Sequence, residues 1–135
     1  MGSFSDWAED AVLKHILKVG AMTQPTNLYV GLCKSTIAES ATGSTLPNEV
    51  VGGAYARKRC NTWAVSGTTP TTGSNNIAIQ YAEATANWGT VTDFAVVTHS
   101  TTGQVLAYGK LTTAKKIGTA DTAKFATGDL DITLD

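Results

Sequence analysis

The sequence predicts a mainly β protein, an antiparallel β-sandwich or barrel of about seven or eight strands with one N-terminal α-helix. Three observations carry that expectation. The stretch Ala82 to Leu111 holds two period-2 runs, Val91 to Thr98 and Gln104 to Leu111, joined by the polar loop His99 to Gly103, which is the signature of a hairpin. Further short apolar runs recur between clusters of Thr, Ser, Gly and Pro. Charged residues make up 16% of the 135 positions, against roughly 25% in a typical soluble domain. A surface dressed in Thr suits strands, because Thr favours the pleated backbone, and suits a surface covered by neighbours in an assembly.

Taken in order, Ser5 to Val19 reads as the helix. Ser5 or Asp6 can cap it, Asp6 and Glu9 have capping-box spacing, and acids lead while lysines follow, as the helix dipole favours. At about 100° per residue, Ala8, Val12, Leu13, Ile16, Leu17 and Val19 form one broad apolar face. Trp7 falls opposite, beside Lys14 and Lys18. It either folds back at the first turn or marks a second face that meets a partner. Gly20 is placed to end the helix at C′. Residues 1–20 are thus read as a helical segment on the domain or a partner, and residues 21–135 as the β domain, within one structural unit.

Asn27 to Cys33 follows as a strand with Leu28, Val30 and Leu32 on one side and Tyr29, Gly31 and Cys33 on the other. Ser35 to Gly53 reads as a long exposed loop, and Tyr55 to Val65 as a strand. Arg57 and Arg59 share one side of it, able to meet a carboxylate or a partner, or to guard a solvated edge. Ser66 to Asn76 is a Thr/Gly/Ser/Pro loop and Asn76 to Tyr81 a short strand. In the central hairpin Val91, Ala95 and Val97 are expected on one face and Thr92, Phe94, Val96 and Thr98 on the other. Thr112 to Asp121 is a polar connection holding part of a strand near Lys115 to Ile117. Ala123 to Phe125 and Asp129 to Leu134 close the chain, the last with Leu130, Ile132 and Leu134 inward and Asp129, Asp131 and Asp135 outward.

The chemistry expected is slight. A net charge of −1 lacks the basic footprint of a nucleic-acid binder, and no apolar run is long enough for a transmembrane helix. Asp6, Glu9 and Asp10 precede Lys14 and Lys18, the wrong charge order for a secretory signal, so folding in a cytosol is expected. Cys33 and Cys60 have neither C-x-x-C spacing nor a His pair for zinc; they are two small reduced strand residues, or form a disulfide late, within or between subunits. His15 and His99 have no metal-ligand spacing, no nucleophile elbow or phosphate loop is present, and the C-terminal acids lack the glycine and closing acid of a calcium loop. Glu83 and Asp93 are a glycosidase-like pair in residue type alone. No catalytic residue, cofactor or metal is expected, hence no enzyme. Tyr29, Tyr55, Trp63, Tyr81, Trp88 and Tyr108 are the aromatics from which a sugar-stacking platform would be built, or else core residues.

A set of segments occurs in an order that carries a resemblance. Phe4-Ser5-Asp6-Trp7 leads into Val12-Leu13-Lys14-His15-Ile16, followed by Pro25-Thr26-Asn27-Leu28-Tyr29-Val30-Gly31-Leu32. Then come Glu49-Val50-Val51-Gly52-Gly53-Ala54-Tyr55-Ala56-Arg57, Asn75-Asn76 to Ile79, Ala84 to Thr92 around Trp88-Gly89, Leu111-Thr112-Thr113, and Phe125 to Leu134. Together they resemble a family of small bacteriophage proteins described as tail-fibre or virion structural proteins, over nearly the whole chain. Lys34 to Pro47 and Lys58-Arg59-Cys60 depart from its pattern. The resemblance implies a virion component, assembled in the host cytoplasm, with no catalytic residues to carry over: a fibre, neck or baseplate part, or a capsid decoration protein. It would act by self-association, as a trimer, and by docking onto other phage structural proteins; the alternative is a glycan-binding module for host attachment. Trp7, Lys14, Lys18, Arg57, Arg59 and Trp88 are the residues expected at an interface, with the Ser35 to Gly53 loop.

Overall fold

The computed structural model describes residues 2–134. In chain order the elements are β1 (Gly2–Phe4), α1 (Asp6–Ile16), β2 (Tyr29–Cys33), β3 (Lys58–Arg59), β4 (Trp63–Ser66), β5 (Thr71–Asn75), β6 (Ile79–Gln80), β7 (Gly89–Val97), β8 (Val105–Ile117), β9 (Lys124–Phe125) and β10 (Asp131–Leu134). Eight strands form one curled sheet, a half-barrel, in the order β3-β2-β7-β8-β1-β10-β5-β4, and β6 pairs with β9 in a small second sheet. The mainly β fold with a single N-terminal helix is therefore as the sequence predicts. Every pairing is antiparallel except β1 with β10, which runs parallel with Gly2 beside Ile132. The two edge strands, β3 and β4, are separated by only Cys60 to Thr62. So short a link spans at most about 15 Å, which forces the sheet to curl until its edges approach at that end.

The central hairpin is β7 and β8, with Phe94 opposite Gly109 and Val96 opposite Ala107. Phe94 has room because its neighbours are glycines: a Cβ on Gly2 would lie 3.2 Å from its ring. The register shifts between Val91 and Asp93. A bulge adds one residue and so reverses the faces before it, and Val91 joins Phe94 and Val96 rather than Ala95 and Val97, against the alternation expected from the sequence.

Both faces of β2 and β7 are buried. Val30, Leu32, Val91, Phe94 and Val96 pack with Ile79, Tyr81, Trp88 and Leu130 on one side, while Cys33, Ala95, Val97 and Val105 pack under Ile37 on the other. Ile37 belongs to the Ser35 to Gly53 segment, expected as an exposed excursion and found instead as a cover for the sheet. Its Ile37 and Val50 are buried, and bridges Cys33–Glu49 and Thr42–Gln104 hold it down. Gly43 shows how close it lies, since a Cβ there would stand 2.0 Å from the Thr102 carbonyl oxygen.

Other boundaries differ as well. Tyr55 to Val65 is not one strand but β3 and β4, broken where the Cys60 amide bonds the Leu28 carbonyl and Asn61 Oδ1 accepts from the Leu28 amide. The expected loop Ser66 to Asn76 holds β5, paired with β4 and β10. β8 continues through the polar stretch to Ile117. Gly2–Phe4 forms a strand, so residues 1–20 supply part of the sheet as well as the helix. Leu134 is 45% exposed instead of facing a filled core, and Asp135 lies outside the described residues.

The helix itself is shorter than expected. Ser5 caps it by accepting from the Ala8 amide at 3.3 Å, and its hydroxyl donates to the Val105 carbonyl, tying the cap to β8. Its end is not at Gly20. Lys18 takes the left-handed conformation (φ 59°), the Val19 amide bonds the Lys14 carbonyl at 2.9 Å and the Lys18 amide bonds that of His15. Those two bonds are the pattern of a Schellman cap, here built on lysine. No helix among the described residues is long and apolar enough to cross a membrane.

Candidate functional site

Most of the polar and aromatic residues singled out from the sequence are used inside the chain. Arg57 is buried; its Nε and Nη2 donate to the two oxygens of Glu49 at 2.7 and 2.8 Å, Nη1 donates to the carbonyls of His99 and Thr102, and Nη2 also reaches that of Gly43. One guanidinium thus pins the covering segment and the β7–β8 loop together. Burial pulls its affinity for the proton down, but the hydrogen bonds and charge of Glu49 hold it above its ordinary value. Tyr55 donates to Glu49 Oε1 at 2.9 Å and accepts from the Leu32 amide. Trp88 is also buried, with its indole donating to the Gly53 carbonyl at 2.8 Å. Expected at an interface, Arg57 and Trp88 are interior supports instead. The bidentate fork of arginine and the N–H of tryptophan suit them to that task.

The aromatics do not form an outward platform. Tyr55 stacks on Tyr81 with centroids 6.1 Å apart, Trp88 meets both edge-on, and the Tyr81 hydroxyl donates to the Val30 carbonyl. Trp63 is half-buried, with its indole donating to the Cys60 carbonyl, and Tyr29 and Tyr108 pack against the second core cluster. Cys33 and Cys60 are both buried and unpaired. Burial, reinforced by the charges of Glu49 and Asp93, pushes the Cys33 thiol up to about 12, which keeps it protonated and unreactive. Asp93 is buried and accepts from the Thr92 hydroxyl, while Glu83 is exposed. Asp6, Glu9 and Glu39 bring three exposed carboxylates within 4.8 Å of one another at the start of α1, an arrangement that the helix dipole favours on its own.

The surface is different in character. Of α1 only Ala8 is buried, and the second half of the helix stands clear of the sheet. Leu13 is 58% exposed, Ile16 66%, Leu17 62% and, just beyond, Val19 74%. Of the broad apolar face read from the sequence, Ala8 and in part Val12 pack on the domain, whereas Leu13, Ile16, Leu17 and Val19 do not. Trp7 is 37% exposed and, with Asp10, Ala11 and Lys14, faces Gly20 to Thr23 across a cleft. Lys14 is exposed and pairs with Asp10 at 2.7 Å, Lys18 is the exposed cap residue, and Arg59 is exposed on the edge strand β3. Trp7 and Lys14 therefore share the helix and Lys18 its C-terminal cap, while Arg59 lies on a different element.

A family model described as Podophage GP4 fiber I protein gp80 matches residues 3–133. The chain belongs to this podophage fibre family. It is accordingly a bacteriophage structural protein of the virion. No curated protein matches the chain. The exposed half of α1 is an apolar surface of the chain.

A second apolar surface was missed from the sequence. Phe4, Leu28, Trp63, Val65, Ile132 and Leu134 line a groove of about 240 Å³ on the curled sheet. The available signal was the run from Asn61 to Ala82, which contains no charged residue. Its apolar members are too scattered for periodicity to assemble them, because the groove draws on seven separate parts of the chain.

Proposed function

We propose that this fibre-family protein is a non-enzymatic subunit that self-associates, as a trimer, and docks onto neighbouring virion proteins through the free half of α1. The observation behind this reading is the exposure of Leu13 and Ile16 at the end of one short helix and of Leu17 and Val19 in its C-terminal cap. Isolated monomers seldom leave a contiguous apolar patch of that kind uncovered, and an amphipathic helix with anchors at i, i+3 and i+4 is a recurrent docking element. The low charge content leaves little electrostatic penalty for close packing of copies.

Light scattering coupled to size-exclusion chromatography tests it. A stable species near three times 14.1 kDa is expected, unchanged by reductant because both cysteines are buried and unpaired. A monomer at every accessible concentration would refute self-association. Trp7→Ala is expected to keep the fold, since Trp7 lies outside both core clusters, and to weaken the assembly.

A further inference from the structure

We propose that the apolar groove of one copy receives the α1 ridge of a second copy, so that assembly proceeds by a head-to-tail contact; this rests on the self-association reading above. The chain carries two uncovered apolar surfaces of opposite shape. The ridge is convex: Leu13, Ile16 and Leu17 fall at i, i+3 and i+4 on one helix face and project from a helix half that its own domain leaves free. The groove is concave, and no charged residue lines it. Val65 at its rim is 73% exposed.

The trough follows from register. Gly73 lies between Val65 on β4 and Ile132 on β10, cross-strand from both. The missing side chain leaves a gap in a row that would otherwise read valine, side chain, isoleucine. Nothing in the chain itself needs that gap, because a Cβ at Gly73 would find its nearest neighbours 4.0 Å away. A glycine inside a strand weakens the strand unless something approaches closely there. An uncharged groove selects an apolar occupant, and the α1 ridge groups three exposed apolar side chains on one projecting face, where Val51 and Ile77 stand singly. One contact then covers both surfaces. Because ridge and groove are different patches, the contact is heterologous and either closes into a ring or continues as an open chain; a three-membered ring is the closed form that the trimer reading needs.

The test uses two full-length variants followed by light scattering. The double substitution Ile16→Ser with Leu17→Ser removes the ridge at exposed positions. Gly73→Val fills the groove with a residue that favours strands. Each variant alone is expected to be monomeric with an unchanged circular dichroism spectrum. Mixed in equal amounts they are expected to form a dimer, because one intact ridge and one intact groove remain and growth stops there. If Gly73→Val oligomerises like the wild type while the ridge variant is monomeric, the helices bind one another, and the groove proposal is overturned with self-association intact. Monomers that fail to complement on mixing overturn it equally, and a monomeric wild type overturns both readings. Should Gly73→Val misfold, Val65→Glu at the exposed rim replaces it, with the same expected outcomes.

Discussion

Arg57 concentrates more of the fold's polar bonding than any other described side chain, and its environment sets the cost of losing it. Five donor contacts end on Glu49 and on the carbonyls of Gly43, His99 and Thr102. Arg57→Ala strips those acceptors and leaves a half-buried carboxylate without its counter-charge. Breaking such a pair costs on the order of 3–5 kcal/mol, and urea unfolding is expected to show a loss of that size. Arg57→Lys is expected to recover only a minor part of it, since an ammonium cannot present the planar fork. A loss below about 1 kcal/mol would mean that the network adds little beyond a surface ion pair. From the sequence, Arg57 was legible as a residue able to meet a carboxylate. Its burial was not, because three bases in a row read as a solvated edge and nothing in the spacing to Glu49 marks a pair.

At the scale of elements, the helix and the central hairpin show where sequence reasoning succeeds and where it stops. Capping chemistry is local, so Ser5 and the order of charges located the start of α1 correctly. The end was misplaced at Gly20 because glycine is the usual left-handed residue, whereas Lys18 adopts φ 59° here. A non-glycine residue in that region costs on the order of 1 kcal/mol. Lys18→Gly is therefore expected to firm the last turn by about that much, read as several-fold slower amide exchange at Val19 and Gly20. Unchanged exchange would show that the lysine side chain repays the backbone cost by packing. The hairpin was legible from alternation alone, but the bulge beside Val91 was not, since an inserted residue leaves the composition of the run untouched. The strand β5 escaped notice for a related reason: Thr, Gly and Ser dominate it, and the apolar residues near it, Phe4, Leu28 and Ile132, are remote in sequence.

For the whole molecule, the burial of β2 and β7 on both faces puts a few titratable side chains in dry surroundings, and this gives stability a pH dependence of definite sign. Burial raises Cys33 from an ordinary value of 9.0 to about 12, and it raises Tyr55 and Tyr81 above their ordinary 10.0. For each group the protonated form belongs to the fold. Below pH 9 all three are protonated in both folded and unfolded chains, so they add no slope. As pH rises past 9 the unfolded chain releases the thiol proton while the folded chain keeps it, and past 10 the two phenols follow; each release favours unfolding. The melting temperature is expected to be level from neutral pH to about pH 9 and then to fall steadily towards about pH 11. Cys33→Ala should make the fall between pH 9 and 10 shallower without abolishing it, because burial also raises the Cys60 thiol, at the cost of a small cavity. A level profile through this range would mean that water reaches the Tyr55–Glu49–Arg57 cluster. The covering segment would then open readily, and the firm scaffold from which α1 projects would be lost.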